Sequence, residues 1–248
     1  MGRPPGLIGD LRVVPSGAAT ELGRRIVAGE WPQHSALPPE AELARNLAVS
    51  RPSLREAIKL LTGKGLIRST PGLGTVVRPL AEWNRLDPDV LLWEIMEGPD
   101  ESFVRDLFEL RRMVEPEACA IAATRASGKA RHAIEDAFQA LRRAPDVALS
   151  IKADLAFHRA IVMGTENQLL AAFLPAIEAS LSLSFEISRA GGVTQAHVVS
   201  MHRKVNDAII AGDETAARAA MLTLLQRSER DALEALVLTR NLSREESP

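Results

Sequence analysis

Residues 47–77, LAVSRPSLREAIKLLTGKGLIRSTPGLGTVV, constrain this chain more than any other stretch. A short apolar helix runs into a tight turn at Ala48, Val49 and Ser50, and a second helix opens at Arg51. Two short β segments, 66–68 and 75–77, flank Pro71, Gly72 and Gly74, which supply turn chemistry. This order reads as a helix-turn-helix followed by a wing. Arg51 and Arg55 are four residues apart and share one helix face. An arginine there can grip guanine O6 and N7, or a phosphate, through two parallel hydrogen bonds. Ser50 and Ser53 are short donors suited to phosphate, and Arg45 and Arg68 add cationic contacts. The wing tip, with Gly72, Gly74 and Thr75, can come close to the nucleic-acid backbone because glycine carries no side chain. The plain alternative pairs Arg51 and Arg55 with Glu56 or Glu42 on an ordinary surface. The surrounding order of elements favours DNA.

The 248 residues suit two small domains or one large one. Aromatics make up only 4 %, tyrosine is absent, and Ala, Leu, Arg and Glu abound, so the chain reads as mostly helical. Cys119 is the only cysteine, which excludes an intrachain disulfide and points to a reducing, cytoplasmic compartment. No apolar run approaches the ~20 residues of a membrane span. The net charge of −2 conceals an asymmetry: residues 1–80 hold 11 Lys and Arg against 6 Asp and Glu, and the remainder is acidic. A basic head on an acidic body suits one domain that meets phosphate and one that does not.

Helical periodicity and its breakers divide the chain into four parts. Residues 1–15 are expected to be a flexible N-terminus, 16–79 a winged helix-turn-helix, 80–100 a linker with a short docked helix over 90–97, and 101–240 an all-helical domain. Thr20 is expected to cap a first helix ending at Ala28. Pro39 starts a second helix through Ala48, and Ser50 caps a third. The later helices are placed at 101–126, 128–143, 146–164, 167–189, 194–211 and 213–239. The fold class is mainly α, an N-terminal winged helix-turn-helix plus a C-terminal all-α helical bundle.

In the second half, Asp154 and His158 lie four residues apart on one face, where both can ligate one divalent cation. His202 is a third candidate ligand, and Asn206 shares its face. Glu109, Arg111 and Glu115 form a further polar face on an otherwise apolar helix. Buried polar groups on separate helices need partners, and a metal with an anionic ligand would satisfy them together.

The run PPEAELARNLAVSRPSLREAIKLLTGKGLIRSTPGLGTVV resembles the winged helix of GntR-family bacterial regulators. One departure is Ala41, where some members carry an arginine. FELRRMVEPEACAIAA, DLAFHRAIV and MHRKVNDAIIAGDETAARAAM are similar to the ligand-sensing helical (FCD) domain of the FadR-type branch. That resemblance implies a homodimer on a palindromic double-stranded operator, released by a small carboxylate effector. It makes Asp154, His158 and His202 ligands of a divalent metal, zinc or similar. Arg111 becomes the carboxylate-binding group, with Asn206 beside it. The family's last histidine falls at Leu224, so the ligand set has three members. WNRLDPDVLLWEI together with ELRRMVEPEA is similar to members that govern sugar-acid catabolism, which implies a repressor responding to an aldonate such as galactonate. The competing function is a metal-dependent enzyme domain fused to a DNA-binding head. It would need a general base, for which only Glu115 offers itself, and the non-enzymatic reading is preferred.

Overall fold

The computed structural model describes residues 17–98, 100–181 and 194–245. The chain divides into two compact units, Met1–Pro99 and Asp100–Pro248. The expected flexible stretch 1–15 lies outside the described residues.

In the first unit, helix α1 spans Ala18–Val27. Its N-cap is Gly17 in extended backbone, not Thr20, which lies inside the first turn. Two alanines at 18 and 19, the strongest helix formers, carry the helix past the expected cap. Helix α2, Glu40–Asn46, begins after Pro39 and places Glu40 and Glu42 where the helix dipole favours acids. It stops short of Ala48, because that residue adopts a left-handed φ of 53° and turns the chain into the next helix. Helix α3 spans Arg51–Gly63, and the Ser50 hydroxyl accepts from the Ser53 N–H at 3.2 Å, as an N-cap should.

The wing is a two-stranded antiparallel sheet, β1 Ile67–Thr70 and β2 Gly74–Val77, paired from Ile67 with Val77 to Thr70 with Gly74. Gly72 and Gly74 hold φ of 77° and 81°, left-handed backbone that lets so short a connection turn. Ala36 adds a bridge to Val76 that no periodicity announces. After a 3-10 turn at Leu80–Glu82, helix α4 spans Pro88–Met96 and is capped by Asp87. It belongs to the first unit's core. Val90 and Trp93 are buried with Leu22, Ile26, Leu43, Leu54, Leu61 and Ile67. A Cβ at Gly23 would stand 2.3 Å from the Trp93 ring, so α1 and α4 meet only because residue 23 has no side chain. Lys64, just past α3, pairs with Asp87 at 2.6 Å and Asp89 at 2.8 Å and ties the end of α3 to the start of α4.

The second unit is built from α5 Glu101–Arg125, α6 Gly128–Arg143, α7 Val147–Gly164, α8 Gln168–Ala171, α9 Gln195–Ala211 and α10 Glu214–Glu245. The helix expected over 167–189 is broken: α8 ends in a turn at residues 172 and 173, and helix resumes over 174–181. Pro175 explains the break, since it lacks an N–H and is tolerated only in a first turn. Residues 182–189 lie outside the described residues. Helix α5 packs against α10, α7 and α9, and α6 packs against α7 and α9. Arg131 joins two helix ends by donating to the carbonyls of Ala123 at 2.6 Å and Ile209 at 2.8 Å in their last turns. The architecture is mainly α, a winged helix-turn-helix followed by an all-helical bundle.

Candidate functional site

Two groups of polar residues stand out, one in each unit. On the first, Arg45, Ser50, Arg51, Ser53 and Arg55 are all exposed around the turn between α2 and α3. Arg45 and Arg51 flank a shallow concavity floored by Ala41, Ala44, Ala48 and Val49. Arg55 pairs with Glu40 at 3.1 Å, not with Glu42 or Glu56 as the plain alternative had it. Glu56 pairs instead with Lys59 at 2.8 Å. Arg51 makes no ion pair among the described residues. At the wing, Gly72 and Gly74 are exposed, whereas Thr75 is half-buried and its carbonyl accepts from the Leu37 N–H at 2.8 Å.

The second group is buried. Arg111, Glu115, Asp154, His158, His202 and Asn206 are each no more than 5 % exposed. Helix α5 supplies the first two, α7 the next two and α9 the last two, each pair four residues apart on one face. Glu109, expected on the same polar face, is exposed instead. The ligand atoms of Asp154, His158 and His202 lie within 4.8 Å of one another.

The ring hydrogens follow from the partners. His202 Nδ1 lies 2.8 Å from the Val198 carbonyl, which only accepts, so Nδ1 carries a hydrogen and, in the neutral ring, Nε2 holds the lone pair. His158 Nδ1 meets the Glu115 carboxylate, which leaves its Nε2 bare in the same way. Burial opposes charge on Glu115, but the charge of Arg111 and the hydrogen bonds from His158 and Arg111 pull its carboxyl down to about 2, so it accepts and does not donate. Burial likewise opposes charge on Asp154, yet His202 holds its carboxyl below the usual range. In return Asp154 outweighs burial and raises His202.

Three facts suit a cation at this centre. His158 Nε2, His202 Nε2 and Asp154 Oδ1 are buried with no hydrogen-bond partner. His202 Nε2 comes to 2.5 Å of Asp154 Oδ1, an ion pair when the ring is protonated and the spacing of two ligands of one ion when it is neutral. His158 Nε2 stands 3.9 Å from the same oxygen. Leu224 on α10 is buried and offers no donor atom, so the candidate set among the described residues is three.

Beside this centre, Arg111 commits Nε to Glu115 Oε1 at 2.5 Å, and both its terminal nitrogens are buried without partners. Asn206 Nδ2 donates to Glu135 Oε2 at 2.7 Å. Because a carboxylate only accepts, this fixes the amide's orientation and leaves Asn206 Oδ1 as a buried acceptor without a partner. The sequence put Glu115 on the polar face of Arg111 and offered it as a general base, not as a group behind His158, and it did not single out Glu135 at all. The spacing of Arg111 and Glu115 carried a signal for the first, while nothing local marked the second.

With that geometry in view, comparison with known proteins decides the lineage. Residues 16–77 match the bacterial regulatory proteins of the gntR family, and residues 106–227 match the FCD domain. A relative from Escherichia coli, the uncharacterized HTH-type transcriptional regulator YieP, is 32 % identical over 86 % of this chain and 92 % of its own. The chain belongs to the GntR family. A second Escherichia coli relative, the galactonate operon transcriptional repressor, is 33 % identical over 84 % of this chain and 92 % of its own. Among solved structures, Lar of Listeria monocytogenes gives a TM-score of 0.64 at 18 % identity, over 88 % of this chain and 95 % of that one. McbR/YncC of Escherichia coli gives 0.52 at 14 % over 93 % and 98 %. These structural likenesses establish the fold alone. The chain is therefore a DNA-binding transcriptional regulator of the GntR type with an FCD domain. The enzyme alternative falls, because the matched domains and relatives are regulators.

Proposed function

We propose that this GntR regulator is a homodimeric, cytoplasmic repressor of a sugar-acid catabolic operon, released from a palindromic operator by a small hydroxylated carboxylate. The observation that carries the reading is the pair of unpartnered terminal nitrogens on buried Arg111, beside three bare ligand atoms. A buried donor left unsatisfied costs about 1–3 kcal/mol, and two parallel donors in one plane match a carboxylate.

In this reading Asp154, His158 and His202 hold a divalent ion, zinc or similar. Bound there, it would act as a Lewis acid toward one oxygen of the ligand. Arg111 binds the carboxylate through Nη1 and Nη2, and Asn206 Oδ1 accepts from a ligand hydroxyl. Glu135 holds that amide so that no other group satisfies it. Likeness to the galactonate operon transcriptional repressor supports an aldonate as the acid.

On the DNA side, Arg51 and Arg55 contact base edges or phosphates in the major groove. Ser50, Ser53 and Arg45 bind phosphate, and the wing at Gly72, Gly74 and Thr75 approaches the backbone. A homodimer engages one half-site per protomer. The effector weakens DNA binding to the extent that it binds the DNA-free state more tightly.

The test is an anisotropy titration of purified protein on its own promoter DNA and on random DNA of equal length, at fixed salt. A preference of at least ~10³ is expected for the promoter. Galactonate should release the DNA, chelator should abolish that release, and Arg111→Met should keep operator affinity while losing the response. Equal binding to both DNAs, or no release by any aldonate, would sink the proposal.

A further inference from the structure

Glu115 spends each carboxylate oxygen on a different half of the proposed sensor. Oε1 accepts from Arg111 Nε at 2.5 Å, and Oε2 meets His158 Nδ1. The side chain is 2 % exposed, so water competes for neither contact. An ionised carboxylate accepts only, which obliges both partners to point hydrogens at it. For His158 this selects the tautomer with Nδ1–H and leaves Nε2 bare on the side of Asp154. For Arg111 it orients the guanidinium plane and leaves Nη1 and Nη2 for something else. The ring of Phe108, 5.2 Å from the guanidinium carbon, backs the same group.

We propose that Glu115 is the positioning residue of the sensor, a single carboxylate that sets the metal-competent tautomer of His158 and the carboxylate-competent plane of Arg111 at once. This rests on the sensor reading above and deepens it. Both Glu115 oxygens are taken by Arg111 and His158, so in that reading neither the ligand nor the ion touches it. It acts through the two groups that would.

The amide of nearly the same shape discriminates this role from packing. Glu115→Gln has one acceptor oxygen where the carboxylate has two. Arg111 is always charged and makes the stronger hydrogen bond, so it keeps that oxygen. The amide NH2 then faces His158 Nδ1, donor against donor. The ring relieves the clash by moving its hydrogen to Nε2, which blocks the lone pair a metal needs. Loss of a carboxylate behind a ligand histidine typically weakens metal binding about 10- to 100-fold.

The experiment uses the full chain, wild type and Glu115→Gln, with Glu117→Gln as control. Glu117 is exposed, pairs with Arg218, and lies two residues along the same helix. Each protein is titrated calorimetrically with zinc alone. The imidazole nitrogens of His158 and the Nε–H of Arg111 are read by nitrogen-15 NMR in the metal-free state. Wild type and Glu117→Gln should bind zinc alike and show Nδ1–H at His158. Glu115→Gln should lose 10- to 100-fold in affinity, show Nε2–H, and keep the hydrogen-bonded signal of Arg111. Zinc binding by Glu115→Gln at wild-type affinity would overturn the inference and leave the sensor reading standing. A wild type that takes up no zinc overturns both. Should Glu115→Gln fail to fold, the wild-type spectrum decides alone, because an Nε2–H tautomer at His158 in the metal-free protein contradicts the role assigned to Glu115.

Discussion

Arg51 and Arg55 sit one turn apart on α3 but would meet DNA from different starting states. Arg55 already has Glu40 and exchanges one exposed anion for another, so its net gain is small, since exposed ion pairs contribute only ~0–1 kcal/mol. Arg51 has no such partner among the described residues and gains the full contact. Arg51→Ala should therefore cost about 1–3 kcal/mol of operator affinity and relax base preference, and Arg55→Ala should cost less. Anisotropy on operator and single-base variants measures both, and a larger loss for Arg55→Ala would contradict the argument. Glu135 offers a pH test. Hydrogen bonds from Gln139 and Asn206 hold its carboxyl below the usual 4.5, against a smaller opposing effect of burial. A group with a lowered folded value adds stability above its unfolded value and loses it as pH falls. Wild-type stability should thus decline below pH 4.5 more steeply than that of Glu135→Gln in urea unfolding, and parallel profiles would contradict it.

At the scale of elements, α1 and α4 depend on a missing side chain. A Cβ at Gly23 would fall 2.3–2.8 Å from three carbons of the Trp93 ring, so Gly23→Ala must push the helices apart or turn the ring. Overpacking of this kind costs about 1–3 kcal/mol, despite alanine's better helix propensity. A lower urea midpoint for the first unit's transition is expected, and an unchanged midpoint would show that the contact yields freely. The same scale shows what was legible. Helices α3, α6 and α9 follow from apolar spacing and their breakers, and the wing follows from Gly72 and Gly74. The start of α1 and the break after α8 were missed. In each case a short local preference, Ala18–Ala19 or Pro175, outweighed the longer pattern. The Ala36 bridge has no sequence signal, because one residue has no periodicity.

At the scale of the molecule, the net positive charge is concentrated in residues 1–80 and the rest of the chain is acidic. A ligand that binds only the folded protein stabilises it by RT ln(1 + [L]/Kd), about 2.7 kcal/mol at a hundred times Kd. Zinc should raise the melting temperature of the full chain, and chelator or Asp154→Ala should remove the rise. A melting point indifferent to zinc would contradict the three-ligand centre. Sedimentation should give about twice the 26.9 kDa of one chain, and a monomer at micromolar concentration would contradict the palindromic operator.

By itself the sequence determined what depends on neighbours along the chain. Periodicity set the helices, Ser50 marked the start of α3, and four-residue spacing put Asp154 with His158 and His202 with Asn206. Only the tertiary structure decided how those faces meet. Glu115 reaches His158 from 43 residues away, and Glu135 orients Asn206 from 71 residues away. The tautomer of His158 and the free oxygen of Asn206 are consequences of those contacts. The physical reason is that a helix's period fixes which residues share a face, whereas a hydrogen bond's partner is fixed by packing between helices, which no local pattern encodes.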